Sequence, residues 1–332
     1  MTPPAADPST SFNMRTRLGK LLDVGIVLGL ACTWVGCLAP WHWFPALFDH
    51  FRIQGSLACC VALMVAVLLR RRPWLVGLAA VSLVVNAWPL WQTSHPLSSS
   101  VKSDGHTSLK IIAFNVYTKN TRYPETLAYL QASNADVILL YEVNDAWAKA
   151  LEPLHQTHPH GTPEVVGDNL GISLFSRLPL TDYQVTRMVE HGMPNILATV
   201  HCGDRVIRLV GTHPLPPTSA QTLHTLHSQM EAIAHWISAA PEESAIVLGD
   251  FNATPWSPCI QLLRETAGMD FRTSKPVWRP TWQVSSVLAL PIDHALCTAD
   301  LFFEQRELGP DLGSDHRSQE LIVKWTQAAP AL

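Results

Sequence analysis

Polar side chains stand at or near the ends of several short hydrophobic runs in the C-terminal two thirds of the chain. Each run is rich in β-branched and aliphatic residues and is bounded by turn residues, which predicts a β-strand. The polar positions are Asn115, Glu142, His213, Asp250, Asn252, Asp293, Asp315 and His316. Taken singly, each has an ordinary structural explanation, such as a turn residue or a helix cap.

Taken together, the set predicts a site for a divalent cation. Carboxylates that meet at one sheet edge repel one another unless a cation is present. Oxygen ligands with few imidazoles suit Mg²⁺ or Mn²⁺ rather than zinc, and the sequence contains no HExxH motif.

The order and spacing of these residues resemble the endonuclease/exonuclease/phosphatase (deoxyribonuclease I-like) superfamily. The specific pieces are GDFN at 249–252 and SDH at 314–316, and the weaker pieces are FN at 114–115 and YE at 141–142. Two further segments, GISLFSRLPL at 171–180 and RPTW at 279–282, are similar to a strand and a pocket loop in many members. The resemblance covers residues 108–326.

The resemblance implies hydrolysis of a phosphoester bond and a role for each matching residue. Glu142 would be the principal metal ligand, with Asn115 and Asp315 completing or supporting the site. Asp250 and Asn252 would hold the attacking water and a phosphate oxygen. The expected cofactor is Mg²⁺ or Mn²⁺, and the use of one metal or two stays open.

The other matching residues are a carboxylate and two histidines. Asp293 would orient His316, and His213 would bind the scissile phosphate or protonate the leaving oxygen. The general base stays open between Asp250 and the His316–Asp293 pair. Arg177, in the SRLP segment, is a candidate for binding a substrate phosphate, and the alternative is a surface arginine at a strand end.

Residues 108–326 are predicted to form one α/β (α+β) domain. The predicted strands are Leu109–Asn115, Asp136–Glu142, Gly171–Ser176, Ile196–His201, Val206–Thr212, Ala245–Gly249, Ile292–Cys297 and Glu320–Trp325. Helices are predicted at Pro124–Ala132 and Ser219–Ala239. The resemblance implies that this domain is a four-layer sandwich, with two packed β-sheets flanked by helices.

The preceding part of the chain is predicted to be a three-helix membrane anchor at residues 21–91. Its three apolar runs, at about 21–39, 53–69 and 74–91, each meet the lower limit of roughly 17 residues for a transmembrane helix, the second only just. Basic residues precede the first run and separate the second from the third. The positive-inside rule therefore places the tail at 1–20 in the cytoplasm, beneath the inner (plasma) membrane. Three crossings place the linker at 92–107, the α/β domain and the tail at 327–332 on the extracytoplasmic face.

Composition divides the chain at the same place. Charged residues are only 15% of the chain and hydrophobic residues 47%, which excludes a disordered protein. Residues 1–104 hold eight Lys/Arg and four Asp/Glu, a net charge of +4, whereas residues 105–332 hold fifteen and twenty-three, a net charge of −8. Three cysteines follow residue 104, so one disulfide at most is expected there.

The preferred substrate is the phosphate ester or diphosphate of a lipid or lipid carrier, such as a phospholipid or a polyprenyl phosphate. The anchor would hold the site near lipid headgroups, and the resembled superfamily includes enzymes that act on lipid phosphates. An extracytoplasmic nuclease for DNA or RNA is the alternative, and the charge of −8 disfavours it because nucleic acids bind Lys/Arg clusters. A catalytically inert binding module is the second alternative, although no expected ligand or water-positioning residue is missing.

Overall fold

The computed structural model describes residues 8–93, 108–164, 169–285 and 288–325. The chain divides into two compact units, Met1–Gln92 and Thr93–Leu332, which are taken one at a time below. Most of the predicted linker, residues 94–107, and the predicted tail at 327–332 lie outside the described residues.

The N-terminal unit is helical. Its helices are α1 (Pro8–Gly36), α2 (Trp43–Asp49), α3 (Arg52–Leu68) and α4 (Pro73–Thr93). Two helical stretches, Arg17–Gly36 and Pro73–Thr93, are long and apolar enough to cross a membrane. Helices α2 and α3 meet at a bend of 66°, and they add a third span if the bent pair is counted as one. The described helices therefore support two or three spans, where the sequence predicts three.

Several polar side chains inside this unit are paired with one another. Arg71 contacts Asp23 at 2.8 Å and donates to the carbonyl oxygen of Gly19 at 2.7 Å. The amide nitrogen of Asn86 donates to the Thr33 hydroxyl at 2.8 Å. Polar groups in an apolar helical unit need such internal partners, because lipid offers none.

The C-terminal unit contains two mixed β-sheets, a short hairpin and four α-helices among its described residues. The strands are β1 (Leu109–Asn115), β2 (Val137–Tyr141), β3 (Pro163–Glu164), β4 (Ile172–Ser176), β5 (Leu180–Thr186), β6 (Asn195–Cys202), β7 (Arg205–Thr212), β8 (Ser244–Asp250), β9 (Trp282–Gln283), β10 (Ala289–Leu290), β11 (Asp293–Cys297), β12 (Leu301–Leu308) and β13 (Gln319–Trp325). The helices are α5 (Tyr123–Ala132), α6 (Asp145–Leu151), α7 (Ala220–Ser238) and α8 (Pro258–Ala267), and a 3₁₀ turn follows α6 at Glu152–Gln156. One sheet has the order β12-β13-β1-β2-β4-β3, the other β11-β8-β7-β6-β5, and β9 pairs with β10.

Side-chain alternation along the strands builds four layers. In β1, Leu109 and Ile111 pack into the core between the two sheets, whereas Ile112 and Phe114 pack on the opposite face with residues of α5 and α6. The five-stranded sheet also has one face in the core between the sheets, and its outer face packs against α7 and α8. The predicted sandwich of two packed sheets flanked by helices is therefore confirmed.

Two parallel strand pairs bring the polar strand ends to one edge of the sandwich. β1 runs parallel to β2 and pairs Asn115 with Tyr141, and β7 runs parallel to β8 and pairs Thr212 with Gly249. At Gly249, where φ is +157°, a Cβ atom would lie 1.8 Å from the carbonyl oxygen of Thr212. Glycine is therefore required at the residue before Asp250.

The first and last strands of the described sandwich pair at the end of β1 that is remote from Asn115. Leu109 at the start of β1 pairs with Val323 near the end of β13. All seven cysteines are free, so the disulfide that the sequence allows does not form. In the C-terminal unit, strands β3, β5, β9, β10 and β12 and helices α6 and α8 are additions to the elements predicted from sequence.

Candidate active site

Asn115 connects the two sheets. Its amide nitrogen donates to Glu142 Oε1 and to Asp250 Oδ2, both at 3.0 Å, and its amide oxygen accepts from the backbone nitrogen of Tyr117 at 3.0 Å. The side chain is fully buried. Because β1 and β8 belong to different sheets, this one amide sets the position of a carboxylate from each sheet.

Glu142 leaves β2 in the left-handed region, with φ of 61°. A residue other than glycine adopts this conformation only at a cost, so neighbouring contacts must hold it. Thr118 provides them: its backbone nitrogen donates to Glu142 Oε2, and its hydroxyl donates to the Glu142 carbonyl oxygen, each at 3.1 Å. The Glu142 carboxylate is half-buried and receives hydrogen bonds from neutral N–H groups, which leaves lone pairs for a cation.

A histidine lies between two buried carboxylates. His316 Nδ1 is 2.9 Å from Asp293 Oδ2, and its Nε2 is 3.5 Å from Asp250 Oδ2. Asp250 Oδ2 also lies 3.4 Å from His213 Nε2, and its Oδ1 accepts from the backbone nitrogen of Asn252 at 2.9 Å. The antiparallel pairing of β8 with β11 produces this arrangement, because it sets Asp293 directly opposite Asp250.

The carboxylates control the charge of both histidines. Burial by itself lowers the pKa of His316, but Asp293 and Asp250 outweigh it and raise that pKa to about 10. Burial also lowers the pKa of His213, but Asp250 outweighs it, so that the pKa of His213 is raised. Burial alone would raise the pKa of Asp250, yet His316 and His213 hold it well below its usual value. Without a bound ion, the site therefore contains a buried carboxylate and an imidazolium in contact.

The turn after β8 positions the remaining asparagine. Asn252 has φ of 48°, and its amide nitrogen donates to the carbonyl oxygen of Pro214 at 2.9 Å, which ties it to the loop that carries His213. The Nδ1 atom of His213 is buried with no hydrogen-bond partner among the described residues. A buried, unpaired imidazole nitrogen is suited to contact a ligand oxygen.

Asp315 lies in the loop before β13. The Ser314 hydroxyl fixes this loop by donating to the carbonyl oxygen of Asn115 at 2.8 Å, and the indole nitrogen of Trp282 donates to Asp315 Oδ2 at 2.9 Å. Asp315 Oδ1 is buried and has no partner among the described residues. An unpaired buried carboxylate oxygen is costly, and a cation would satisfy it.

One group of described residues could hold a metal ion by distance: Asp250, Asp293 and His316 have ligand atoms within 4.8 Å of one another. Both nitrogens of His316 already face carboxylates, whereas Asp315 Oδ1 has no partner among the described residues and the Glu142 oxygens accept hydrogen bonds from neutral N–H groups. The oxygen-rich donor set fits a hard divalent cation. Asn115 directs its amide nitrogen at the carboxylates, so it supports the site by donating hydrogen bonds.

Arg177 lies away from this cluster. Strand β4 runs antiparallel to β2, so Ser176 pairs with Val137 at the start of β2, whereas Glu142 follows its end. The backbone nitrogen of Arg177 donates to the carbonyl oxygen of Asp136 at 2.9 Å. The structure thus brings together the eight predicted strand-end residues and leaves out Arg177, which stands at the other end of the sheet.

Several supporting residues do not appear in the sequence prediction of the site. The Thr281 hydroxyl accepts from the backbone nitrogen of Asp293 at 3.0 Å, and buried Arg306 donates to the Asp293 carbonyl oxygen at 3.1 Å. Thr118 and Trp282 hold the Glu142 and Asp315 carboxylates as described. RPTW was the one sequence signal that pointed to any of them, through Thr281 and Trp282.

Comparison with known proteins identifies the family of this site. The model of the Endonuclease/Exonuclease/phosphatase family matches residues 112–316, more than half of the chain. Comparison with curated proteins gave no match. Among solved structures, D. rerio TDP2 complexed with single strand DNA product is 17% identical, with a TM-score of 0.56 over 66% of this chain and 99% of that one. An endonuclease/exonuclease/phosphatase from Beutenbergia cavernae is 18% identical (TM-score 0.56, 68% and 74%), and sphingomyelinase C from Streptomyces griseocarneus is 14% identical (TM-score 0.51, 67% and 100%). At such identities these likenesses show the fold.

Replacement of His316 by leucine should destabilise the C-terminal unit strongly. Asp250 and Asp293 would then face each other without the intervening cation, and breaking a buried charge pair from one side costs about 3–5 kcal/mol. His213→Leu is the matched control and should cost less, because His213 contacts one carboxylate at 3.4 Å. Urea unfolding of the full chain in detergent measures the difference.

The double variant Asp293→Asn/His316→Leu sharpens this test. Removing one of the two opposed charges should restore part of the stability that His316→Leu loses. Equal stability of the single and double variants would contradict the view that His316 neutralises this carboxylate pair.

Proposed function

The chain belongs to the endonuclease/exonuclease/phosphatase family, and on that premise we propose that it is a membrane-anchored, divalent-metal-dependent phosphoesterase. Members of this family are typically hydrolases of phosphoester bonds, and the C-terminal unit has their fold. The proposed bond is a phosphate ester or diphosphate of a lipid or lipid carrier. The proposed location of the reaction is the extracytoplasmic face of the membrane.

One observation carries the catalytic part of this proposal. The hydrogen bonds of Asn115 link Glu142 with Asp250, and His316 links Asp250 with Asp293. These residues are separated by up to about two hundred positions in sequence, yet they form one connected cluster. Glu142, a carboxylate with lone pairs available to a cation, is therefore linked through Asn115 and Asp250 to an imidazole that a second carboxylate orients, which is the combination that phosphoester hydrolysis needs.

Glu142 and Asp315 would hold the cation, Mg²⁺ or Mn²⁺, and Asn115 would orient the Glu142 carboxylate. When bound, the cation neutralises charge on the nonbridging oxygens of the phosphate. It would also satisfy the unpaired Oδ1 atom of Asp315.

The remaining side chains would position and protonate the reactants. Asp250 and Asn252 would hold the attacking water and a phosphate oxygen, since both lie in the turn that ends β8. Asp293 would keep the His316 ring in place through the contact of 2.9 Å. His213, with its free Nδ1, would bind the scissile phosphate or protonate the leaving oxygen. Asp250 and the His316–Asp293 pair are the two candidates for the general base.

A lipid phosphate is supported by three independent features. The N-terminal unit contains two or three helices apolar enough to cross a membrane. The net charge of −8 over residues 105–332 opposes binding to a polyanion such as DNA. One protein of similar fold is a sphingomyelinase, which acts on a lipid.

A nuclease is the second candidate, because another protein of similar fold is complexed with a single strand DNA product. An inert binding module is a third candidate, which the intact set of predicted site residues disfavours.

Replacement of Glu142 by alanine should abolish activity. Loss of the main oxygen ligand removes the charge neutralisation that the reaction requires, and turnover of bis-(p-nitrophenyl) phosphate by the full chain with Mg²⁺ should fall about a thousandfold. His316→Ala should do the same. Arg177→Ala is the matched control and should retain full turnover, since Arg177 stands at the other end of the sheet.

Metal binding to the same variants can be measured independently of turnover, by thermal unfolding. Mg²⁺ should raise the unfolding temperature of the wild-type and Arg177→Ala proteins but not that of Glu142→Ala. Unchanged turnover in Glu142→Ala and His316→Ala would refute the mechanism. Metal stabilisation without turnover would support the inert module.

The choice between lipid and nucleic acid can be tested with one panel of substrates. The full chain should release phosphate or a headgroup from a phospholipid or polyprenyl diphosphate, with Glu142→Ala as the blank. Nicking of plasmid DNA should be weak and should vanish at physiological salt, because a net charge of −8 provides few phosphate contacts. Robust Mg²⁺-dependent nicking at that salt would reverse the preference.

The orientation of the chain follows from charge and awaits its own test. Arg15 and Arg17 in the first half of α1, together with the arginines between α3 and α4, favour a cytoplasmic N-terminus, and an odd number of spans then places the C-terminal unit outside. A reporter fused after Leu332 should be active only when it is one that works outside the cytoplasm. Activity of a cytoplasmic reporter instead would favour two spans and reopen the nuclease assignment.

A further inference from the structure

The segment that leads into and forms the β9–β10 hairpin differs in charge from the rest of its unit. Residues 271–291 contain Arg272, Lys275 and Arg279 and no acidic residue, although residues 105–332 have a net charge of −8. Lys275 and Arg279 both contact Glu307, at 3.2 and 3.0 Å, yet their side chains remain 44% and 47% exposed. This part of the surface is therefore basic in an acidic unit.

The same segment exposes large apolar side chains. Trp278 is 41% exposed, Val284 61% and Leu288 36%. Among the described residues of the C-terminal unit, one other large hydrophobic residue, Val206, is exposed to a similar degree. The backbone nitrogen of Val284 donates to the carbonyl oxygen of Leu288 at 3.0 Å, so these two residues face each other across the hairpin. Exposed apolar groups concentrated in one segment indicate a contact surface.

The hairpin is attached to the site. Trp282 donates to Asp315 at 2.9 Å and forms a backbone bridge with His316. The apolar residues of the hairpin therefore lie beside the candidate active site, whereas Val206, near the start of β7, lies at the opposite end of its sheet. We call Lys275, Trp278, Arg279, Val284 and Leu288 the hairpin surface.

We infer that the hairpin surface docks on the lipid bilayer that holds the N-terminal helices. Tryptophan and aliphatic side chains enter the interfacial layer of a membrane, and lysine and arginine beside them contact lipid phosphates. The fourteen residues from 94 to 107 join the two units, and even fully extended they span about 50 Å, so a membrane that holds α4 lies within that reach of the C-terminal unit. A bilayer is therefore the apolar partner that is always within reach.

Docking would hold the site at the headgroup layer. The inference rests on the membrane association in the proposed function but does not depend on which phosphoester is cleaved. It gives the exposed hairpin residues a role that the reaction itself does not require.

Spin labelling tests the inference on the full chain. Val284→Cys is labelled with a nitroxide in a protein whose accessible Cys32, Cys37 and Cys60 are serine, and the protein is placed in nanodiscs of phosphatidylcholine and phosphatidylglycerol. The label at 284 should collide with oxygen, which dissolves in lipid, severalfold more than with a water-soluble nickel complex. Val206→Cys is the matched control, because Val206 is also an exposed valine, at 49%, and lies far from the hairpin; its label should show the reverse ratio.

Two results would overturn the inference. A label at 284 as accessible to the nickel complex as the label at 206 would show a water-exposed surface. A label shielded from both reagents would show contact with protein, either a second copy or another partner. Hydrogen–deuterium exchange of residues 278–285 gives a label-free reading: it should be severalfold slower in the wild type than in Val284→Asp/Leu288→Asp, and equal rates would count against docking.

Enzyme turnover separates this inference from the proposed function. Val284→Asp/Leu288→Asp should hydrolyse soluble bis-(p-nitrophenyl) phosphate as the wild type does, because neither residue belongs to the site. A wild-type protein without turnover but with a lipid-accessible label would refute the phosphoesterase and leave the docking intact. Full turnover with a water-exposed label would do the opposite.

Discussion

Two buried carboxylates that face each other impose the main constraint on this structure. Asp250 and Asp293 are directly paired across β8 and β11, and they are 1% and 3% exposed. Like charges this close and this buried are unfavourable unless a cation compensates them. His316 supplies the compensation by contacting both, and the two carboxylates raise its pKa to about 10 against the opposing effect of burial.

Meeting this constraint requires both sheets. Asp250 and Asp293 belong to the five-stranded sheet, whereas His316 precedes β13 of the six-stranded sheet. Asn115 adds a second link between the sheets by contacting Asp250 and Glu142. The site is therefore complete only when the sandwich is packed, so core packing and site geometry cannot be separated energetically.

Sequence patterns predicted the polar strand ends well because each lies beside a run that is hydrophobic enough to be recognised. The strands that escaped prediction are less regular. β5 has one mostly exposed face, and β12 contains Glu304 at a register shift between Phe303 and Gln305. Arg177 was a reasonable candidate by motif, but the antiparallel direction of β4, which sequence does not reveal, places it at the wrong end of the sheet. The sequence does not reveal the role of Thr118 for a similar reason, since its hydrogen bonds to Glu142 depend on how a loop folds back.

The pairing of Leu109 with Val323 means that the C-terminal sandwich begins and ends at one place, on the edge remote from Asn115. A domain whose chain ends are neighbours can be fused to another protein, or inserted into it, at one site without distortion of its fold. The helical unit that precedes the sandwich could therefore be replaced by another N-terminal segment. Such a replacement would move the candidate active site to a different location and leave its residues unchanged.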